Sequence, residues 1–221
     1  MIPLNPRDGM IVSKISDFVS QNNLKYLHDR VLPRNLFGIE SNYVENNPDQ
    51  VREYVSDLEI DFTKDIKLFT NDKAGKAGRG KWFVVSRNVI ESNQDKIGEW
   101  QVVVSSANAG GQKRDNQIEV MDNHSAFGRS RVALASFLTK QEAVNFYKYA
   151  ESYIIKFMFL MTDESLTSLG KKVPDILDYS DNCELVDFST DINKELYSLF
   201  NLSEEEQQYI EGVVKNIRSK G

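Results

Sequence analysis

Apolar residues near the C-terminus recur at three- and four-residue steps, which places them on one face of a helix. Thr139 and Glu142 have the spacing of a capping box ahead of the first such run, and Ser203 and Glu206 have it ahead of the second. The first run consists of Ala143, Phe146, Tyr147, Ala150, Ile154, Phe157, Met158 and Met161, and the second of Tyr209, Ile210, Val213, Val214 and Ile217. We therefore predict one long helix from residue 139 to about 161, a short acidic helix, and a final helix after residue 203.

The first two-thirds of the chain has a different pattern, in which short apolar runs alternate with polar turns. Residues 9–22 fit an amphipathic helix, and helices are also expected at 48–56, behind Pro48, and at 87–96. The runs at 66–70, 82–86, 100–106, 117–121 and 131–136 fit strands. The sum is an α+β protein, with a mixed sheet of short strands in the middle of the chain and a C-terminal helical frame.

The order of short phrases toward the C-terminus carries a family resemblance. The sequence S-F-L-T-K-Q-E-A is followed by Y-A-E-S-Y-I-I-K-F, then V-P, D-F-S and E-L-Y-S-L-F-N-L-S-E-E-E-Q-Q-Y-I-E. This order resembles the C-terminal target-recognition domain of bacterial adenine-specific DNA methyltransferases from type II restriction–modification systems. The resemblance is good over residues 130–215. It departs after D-F-S, where Thr190-Asp191-Ile192-Asn193 stands in place of the family's Trp-Thr-Asp phrase.

The resemblance implies that residues 1–221 form a single target-recognition domain with double-stranded DNA as its partner. Its parts would be a helical and loop region at 1–65, a strand-rich DNA-reading region at 66–136 and a helical frame at 137–221. Such methyltransferases hold the flipped adenine with an Asn/Asp-Pro-Pro-Tyr/Phe motif. Neither this motif nor a glycine-rich loop for S-adenosylmethionine is present in the sequence. We expect no cofactor and no catalysis in this chain. The catalytic domain, with its S-adenosylmethionine, would belong to the same or a separate chain, with or without a fused endonuclease.

Composition alters this interpretation mainly through the distribution of charge. The net charge is −6, but residues 73–131 hold ten Lys and Arg against six Asp and Glu, whereas residues 163–211 hold three against thirteen. Binding responds to the local field rather than to the total. The lone Cys183, the absence of a signal-peptide pattern and the lack of a long apolar run predict a cytoplasmic protein with no membrane partner.

Two polar segments and a third loop, which carries Asn123, His124, Arg129 and Arg131, supply the candidate DNA-contacting residues. The segment G-K-A-G-R-G-K-W departs from a phosphate-binding loop at Trp82, where a hydroxyl is needed, so we expect it to follow a DNA backbone instead. The segment N-A-G-G-Q-K-R-D-N has amides and an arginine suited to base edges. The alternatives are a solvated hairpin tip for the first segment, an ordinary surface turn for the second and a strand-edge charge for Arg131. The predicted contacts are Lys73, Lys76, Arg79, Lys81, Asn108, Gln112, Lys113, Arg114, Asn123, Arg129 and Arg131.

Two functions from other classes stay open at this stage. Asp49, Asp65 and Lys67 imitate the spacing of a magnesium-dependent endonuclease. The other alternative is a non-catalytic protein-interaction domain with no role in DNA binding. His28, His124 and Cys183 lack the spacing of metal ligands, so no metal site is expected.

Overall fold

The computed structural model describes residues 5–220. The predicted α+β class is confirmed, with short strands in the middle of the chain and helices at its C-terminal end. In these residues the helices are α1 (Pro6–Gln21), α2 (Tyr43–Asn46), α3 (Lys140–Glu151), α4 (Tyr153–Leu160), α5 (Ile192–Leu199) and α6 (Glu204–Arg218). The strands are β1 (Lys25–Tyr26), β2 (Val51–Glu53), β3 (Asp65–Asn71), β4 (Gly80–Ser86), β5 (Trp100–Ser105), β6 (Glu119–Met121), β7 (Ser125–Phe127), β8 (Arg131–Phe137) and β9 (Pro174–Asp175).

Two sheets form the middle of the molecule. The larger sheet has the order β2-β4-β3-β7 and is mixed, because β3 and β7 run parallel while its other pairs are antiparallel. The second sheet is antiparallel, with the order β6-β5-β8. A small pair, β1 with β9, joins the N-terminal region to the segment ahead of α5.

The three-stranded sheet separates two hydrophobic clusters. On one side Val102 and Val104 of β5 pack with the helices, in the cluster that contains Phe146 and Phe157. On the other side Val103 packs with the larger sheet, in the cluster that contains Leu68. A strand buried on both faces has no polar positions to alternate with, which explains the uninterrupted Val-Val-Val of β5. The architecture is thus helices on a three-stranded sheet on a four-stranded sheet.

The helix ends follow local chemistry, as the sequence predicts. At α6, the Ser203 side chain accepts from the Glu206 backbone N–H and the Glu206 carboxylate accepts from the Ser203 N–H, a complete capping box. Thr139 caps α3 at the Glu142 N–H, but the Glu142 carboxylate accepts from the Thr139 hydroxyl, so this box is half formed. A third box, Asn5 with Asp8, begins α1 and was not predicted.

Three predicted helices are wrong or incomplete. The long helix from residue 139 is interrupted at Ser152, whose extended backbone (φ −61°, ψ 152°) separates α3 from α4. The expected helix at 48–56 is a single 3-10 turn, Pro48–Gln50, followed by β2, because β4 recruits this segment as an edge strand. Residues 87–96 form two short 3-10 turns, Arg87–Val89 and Gln94–Gly98, rather than an α-helix.

The helices can be compared with the length and apolar character of a membrane-spanning segment. No helix between residues 5 and 220 combines the length and the apolar character that crossing a bilayer requires.

Candidate nucleic-acid interface

Three of the polar segments singled out in the sequence meet at one edge of the two sheets. Because β3 and β7 are parallel, the segments that follow them leave from the same edge. The Gly128 N–H donates to the Phe69 carbonyl at 2.8 Å, and the Ser106 hydroxyl donates to the Arg129 carbonyl at 2.9 Å. We call the ranges 72–81, 106–117 and 128–131 together the basic edge.

The loop between β3 and β4 is closed by backbone hydrogen bonds at its root. The Asp72 N–H donates to the Arg79 carbonyl at 2.9 Å, and the Arg79 N–H donates to the Asp72 carboxylate at 2.8 Å. Gly78 is required inside this loop, since a Cβ there would lie 2.0 Å from the Lys73 carbonyl oxygen. Lys73 and Lys76 are thereby held at an exposed tip.

Ionic pairing divides the four cations of this loop into two groups. Lys81 pairs with Asp72 at 3.2 Å, and the Arg79 N–H, followed by Lys81, lowers the pKa of that carboxyl. The Arg79 guanidinium donates only to neutral carbonyls, those of Lys76 at 3.2 Å and Gly78 at 3.1 Å. Within residues 5–220 no carboxylate lies within ion-pairing distance of Lys73, Lys76 or Arg79.

One carboxylate nonetheless approaches the tip from α2. Glu45 accepts a hydrogen bond from the Ala74 backbone N–H at 2.7 Å. This contact fixes the loop against α2, and it places a negative charge beside the two exposed lysines. The positive field of the tip is therefore weaker than its lysine count suggests.

The amides predicted to contact bases are engaged in holding the 106–117 loop. Asn108 is 7% exposed; its Nδ2 donates to the Arg114 carbonyl at 2.5 Å and its Oδ1 accepts from the Lys113 N–H at 3.1 Å. Gln112 donates to the Thr162 carbonyl at 3.2 Å, at the end of α4. Base contacts by either amide would require the loop to open, which sequence reasoning did not anticipate.

The two charged side chains of the same loop differ in their surroundings. Lys113 pairs with Glu164 at 2.9 Å on the surface. Arg114 is exposed, and among the described residues no acid pairs with it. Arg114 is therefore the side chain of this loop that is best placed to reach a ligand.

The turn between β7 and β8 contributes two arginines with structural contacts. Arg129 pairs with Glu40 at 3.0 Å. Arg131 lies 5.0 Å above the Phe69 ring and donates to the Gln117 carbonyl at 3.0 Å, so it joins the two sheets. Burial lowers the pKa of its guanidinium, against the effect of Glu119, but an arginine stays charged.

Asn123 is the one predicted contact that lies away from the basic edge. It precedes β7, whereas the basic edge follows β7. Its neighbour His124 stacks on Phe62, with ring centroids 4.1 Å apart and planes 13° apart. The sequence grouped Asn123 with Arg129 and Arg131, but the strand between them places it at the other end of the sheet.

Sequence reasoning missed the buried lysine Lys156, and it named the half-buried Lys67 only for the endonuclease alternative. Lys67 of β3 forms an ion pair with Asp122 and lies 5.6 Å from the centroid of the Trp82 ring. Lys156 of α4 is 7% exposed and bonds to Asp115 at the root of the 106–117 loop. The only signal in the sequence was one lysine inside the apolar run Y-I-I-K-F-M-F-L.

The residues of the endonuclease alternative have separate partners. Asp49 lies in the exposed turn Pro48–Gln50, Asp65 pairs with Arg52 at 2.6 Å, and Lys67 pairs with Asp122. Across residues 5–220 no group of three or more His, Cys, Asp or Glu side chains is arranged to hold a metal ion.

Comparison with known proteins adds no relative. No protein-family model matches the chain, and no curated protein matches it either.

Proposed function

We propose that this chain is the DNA target-recognition domain of a bacterial adenine-specific DNA methyltransferase from a type II restriction–modification system. The basic edge is the observation that carries the proposal, because three segments separated in sequence meet there. The resemblance of residues 130–215 to the family gives the class of parent protein. In this role the chain docks on duplex DNA and presents the adenine to a catalytic domain, which binds S-adenosylmethionine and flips the base.

The tip at 72–79 has the chemistry of a phosphate contact. Lysines on small-residue backbone approach a phosphate closely, and each neutralised phosphate releases condensed counterions. Three cations there, Lys73, Lys76 and Arg79, have no carboxylate partner among the described residues. If each of the three neutralises one phosphate, they contribute about −2.7 to the slope of log affinity against log salt.

Arg114 is the candidate for contact with a base edge. An exposed guanidinium can donate two parallel hydrogen bonds to a guanine, whereas the side-chain amides of Asn108 and Gln112 are already bonded to backbone carbonyls. In this proposal the 72–81 loop gives affinity for any sequence and the 106–117 loop gives sequence preference.

Fluorescence anisotropy of a labelled duplex across a salt series tests the proposal. We expect wild-type protein to bind with a steep slope. The triple variant Lys73→Ala/Lys76→Ala/Arg79→Ala should lose about 2.7 from its magnitude. The matched control, Lys171→Ala/Lys172→Ala/Lys194→Ala, removes the same charge from exposed positions in the acidic C-terminal region and should keep the slope.

Three other results would each overturn the proposal. A flat titration at low salt would favour a protein-interaction domain. Equal loss of slope in the two triple variants would mean that binding follows total charge rather than the basic edge. Magnesium-dependent cleavage of the duplex by the chain alone would favour the endonuclease alternative, and Asp65→Asn would then abolish it.

A further inference from the structure

A buried lysine connects the helical frame to the 106–117 loop. The side chain of Lys156 is 8% exposed and three side-chain oxygen atoms lie close to its ammonium group. These are the Asp115 carboxylate at 2.5 Å, the Asn116 amide oxygen at 2.9 Å and the Glu151 carboxylate at 3.0 Å. The contacts with Asp115 and Asn116 are hydrogen bonds, and the contact with Glu151 is an ion pair.

Arg218, near the end of α6, completes the cluster from the other side. Its Nη2 donates to Glu151 at 3.1 Å, and its Nε lies 3.8 Å from Asp115. Asn116 in turn donates to the Ala109 carbonyl at 3.0 Å, across the root of the loop. The cluster therefore joins the α3–α4 junction and α6 to both ends of the loop.

This arrangement is not explained by stability alone. A buried ion pair recovers little more than the cost of removing its charges from water, and apolar residues of the same size often serve as well. The remainder of α4 is apolar, and Lys156 stands where a methionine would pack. The hydrogen bonds of Lys156 to Asp115 and Asn116 do, however, favour one conformation of the loop root.

Charge gives a second reason for the cluster. Asp115 follows Arg114 directly, so its carboxylate would repel a DNA phosphate approaching that arginine. Burial by itself would raise the pKa of Asp115, but the hydrogen bond and charge of Lys156, the hydrogen bond from the Gln117 N–H and the charge of Arg218 outweigh it. The carboxylate is thus kept ionised and compensated from within the protein.

We propose that Lys156 is the positioning residue of the 106–117 loop, fixing its root and compensating Asp115 so that Arg114 is presented at the basic edge. The anchoring of the loop is a property of the free protein. The effect on DNA recognition rests on the function proposed above.

Hydrogen exchange and DNA selection together test this inference. In Lys156→Met we expect the amides of residues 106–117 to exchange about tenfold faster while those of β3 and β4 are unchanged. Selection from a library of randomised duplexes should show a weakened sequence preference, because Arg114 loses its fixed position. Lys156→Arg keeps the charge and should retain part of both properties. Lys64→Met, which breaks the exposed ion pair with Asp61 outside the basic edge, is the matched control and should resemble wild type.

A second variant guards against misfolding of Lys156→Met. Asp115→Asn keeps the shape of the side chain and removes its charge, and it should release the loop in the same way. If a folded variant of either kind exchanges the amides of residues 106–117 at the wild-type rate, Lys156 does not hold the loop root. If exchange is faster but the sequence preference is that of wild type, the loop position has no role in DNA recognition. Absence of DNA binding by wild-type protein would instead refute the proposed function, and the exchange data would still decide the anchor.

Discussion

The substitution Gly78→Ala separates the shape of the basic loop from its charge. The added Cβ would lie 2.0 Å from the Lys73 carbonyl oxygen and 3.3 Å from that of Gly75. Both obstacles are backbone atoms, so no side chain can rotate away. The loop must open by about 1 Å to accept the methyl group, and the hydrogen bond from the Gly78 N–H to the Gly75 carbonyl, 3.1 Å long, is then lost.

The expected magnitudes follow from this geometry. Overpacking and one lost hydrogen bond in an exposed loop cost about 1–2 kcal/mol of the free energy of unfolding. If the displaced tip loses one phosphate contact, affinity at about 0.1 M salt falls roughly eightfold and the salt slope falls by about 0.9. Removal of all three cations at the tip would cost roughly 500-fold by the same reasoning.

Thermal denaturation and anisotropy measure the two effects independently. Gly212→Ala is the control, because it lies within α6 with nothing within 4 Å of its added Cβ. It should stabilise the protein by up to about 1 kcal/mol and leave DNA binding unchanged. A Gly78→Ala protein that binds DNA within about twofold of wild type would refute the role given to the loop conformation.

Two further predictions concern acid stability and the cofactor. Burial by itself raises the pKa of Asp122, but hydrogen bonds from Lys67, Ser125 and the His124 N–H outweigh it and leave that pKa below its ordinary value. A carboxyl with a depressed pKa stabilises the fold above about pH 4, and this contribution is lost as the pH falls through its folded-state value. As the pH is lowered below about 4, the free energy of unfolding measured by urea denaturation should therefore fall less for Asp122→Asn than for wild type. The same pH dependence in both proteins would contradict this. The chain alone should neither bind S-adenosylmethionine nor methylate DNA, so saturable calorimetric binding at micromolar concentration would show a cofactor site that we missed.

Local signals in the sequence predicted most helices and strands. Two of these signals depend only on residues close together in the chain: the capping box of Ser203 with Glu206, and the valine run of β5. The structure has a helix and a strand at these positions, as predicted. The break at Ser152 depends on a distant residue, since the Asn193 side chain accepts from the Tyr153 N–H at 2.9 Å and caps α4. No local pattern contains that contact, which is why the sequence predicts one continuous helix.

For the candidate site, too, the sequence predicts the features that depend on local composition and misses those that depend on folding. Exposed cations in a glycine-rich loop can be recognised from composition, and the structure places Lys73 and Lys76 at an exposed tip. Asn108 bonds within its own loop, to Lys113 and Arg114, because of the conformation the loop adopts. Arg129 pairs with Glu40, which is far away in sequence. The sequence therefore shows which polar groups a loop carries, but it does not show whether they are free to bind a ligand.

Local charge, rather than total charge, decides whether an acidic chain can hold DNA. The three ranges of the basic edge contain eight Lys and Arg but only two Asp, in a chain of net charge −6. Of the two acids, Asp72 is compensated by Lys81 and Asp115 by Lys156 and Arg218. The electrostatic field of a surface depends mainly on charges that lack a close partner, and the charges of this kind within the basic edge are cations. Among the acids of the 163–211 region, Glu164 reaches the basic edge, where it pairs with Lys113. Acids that lie more than a Debye length away, about 8 Å in physiological salt, affect the field there little.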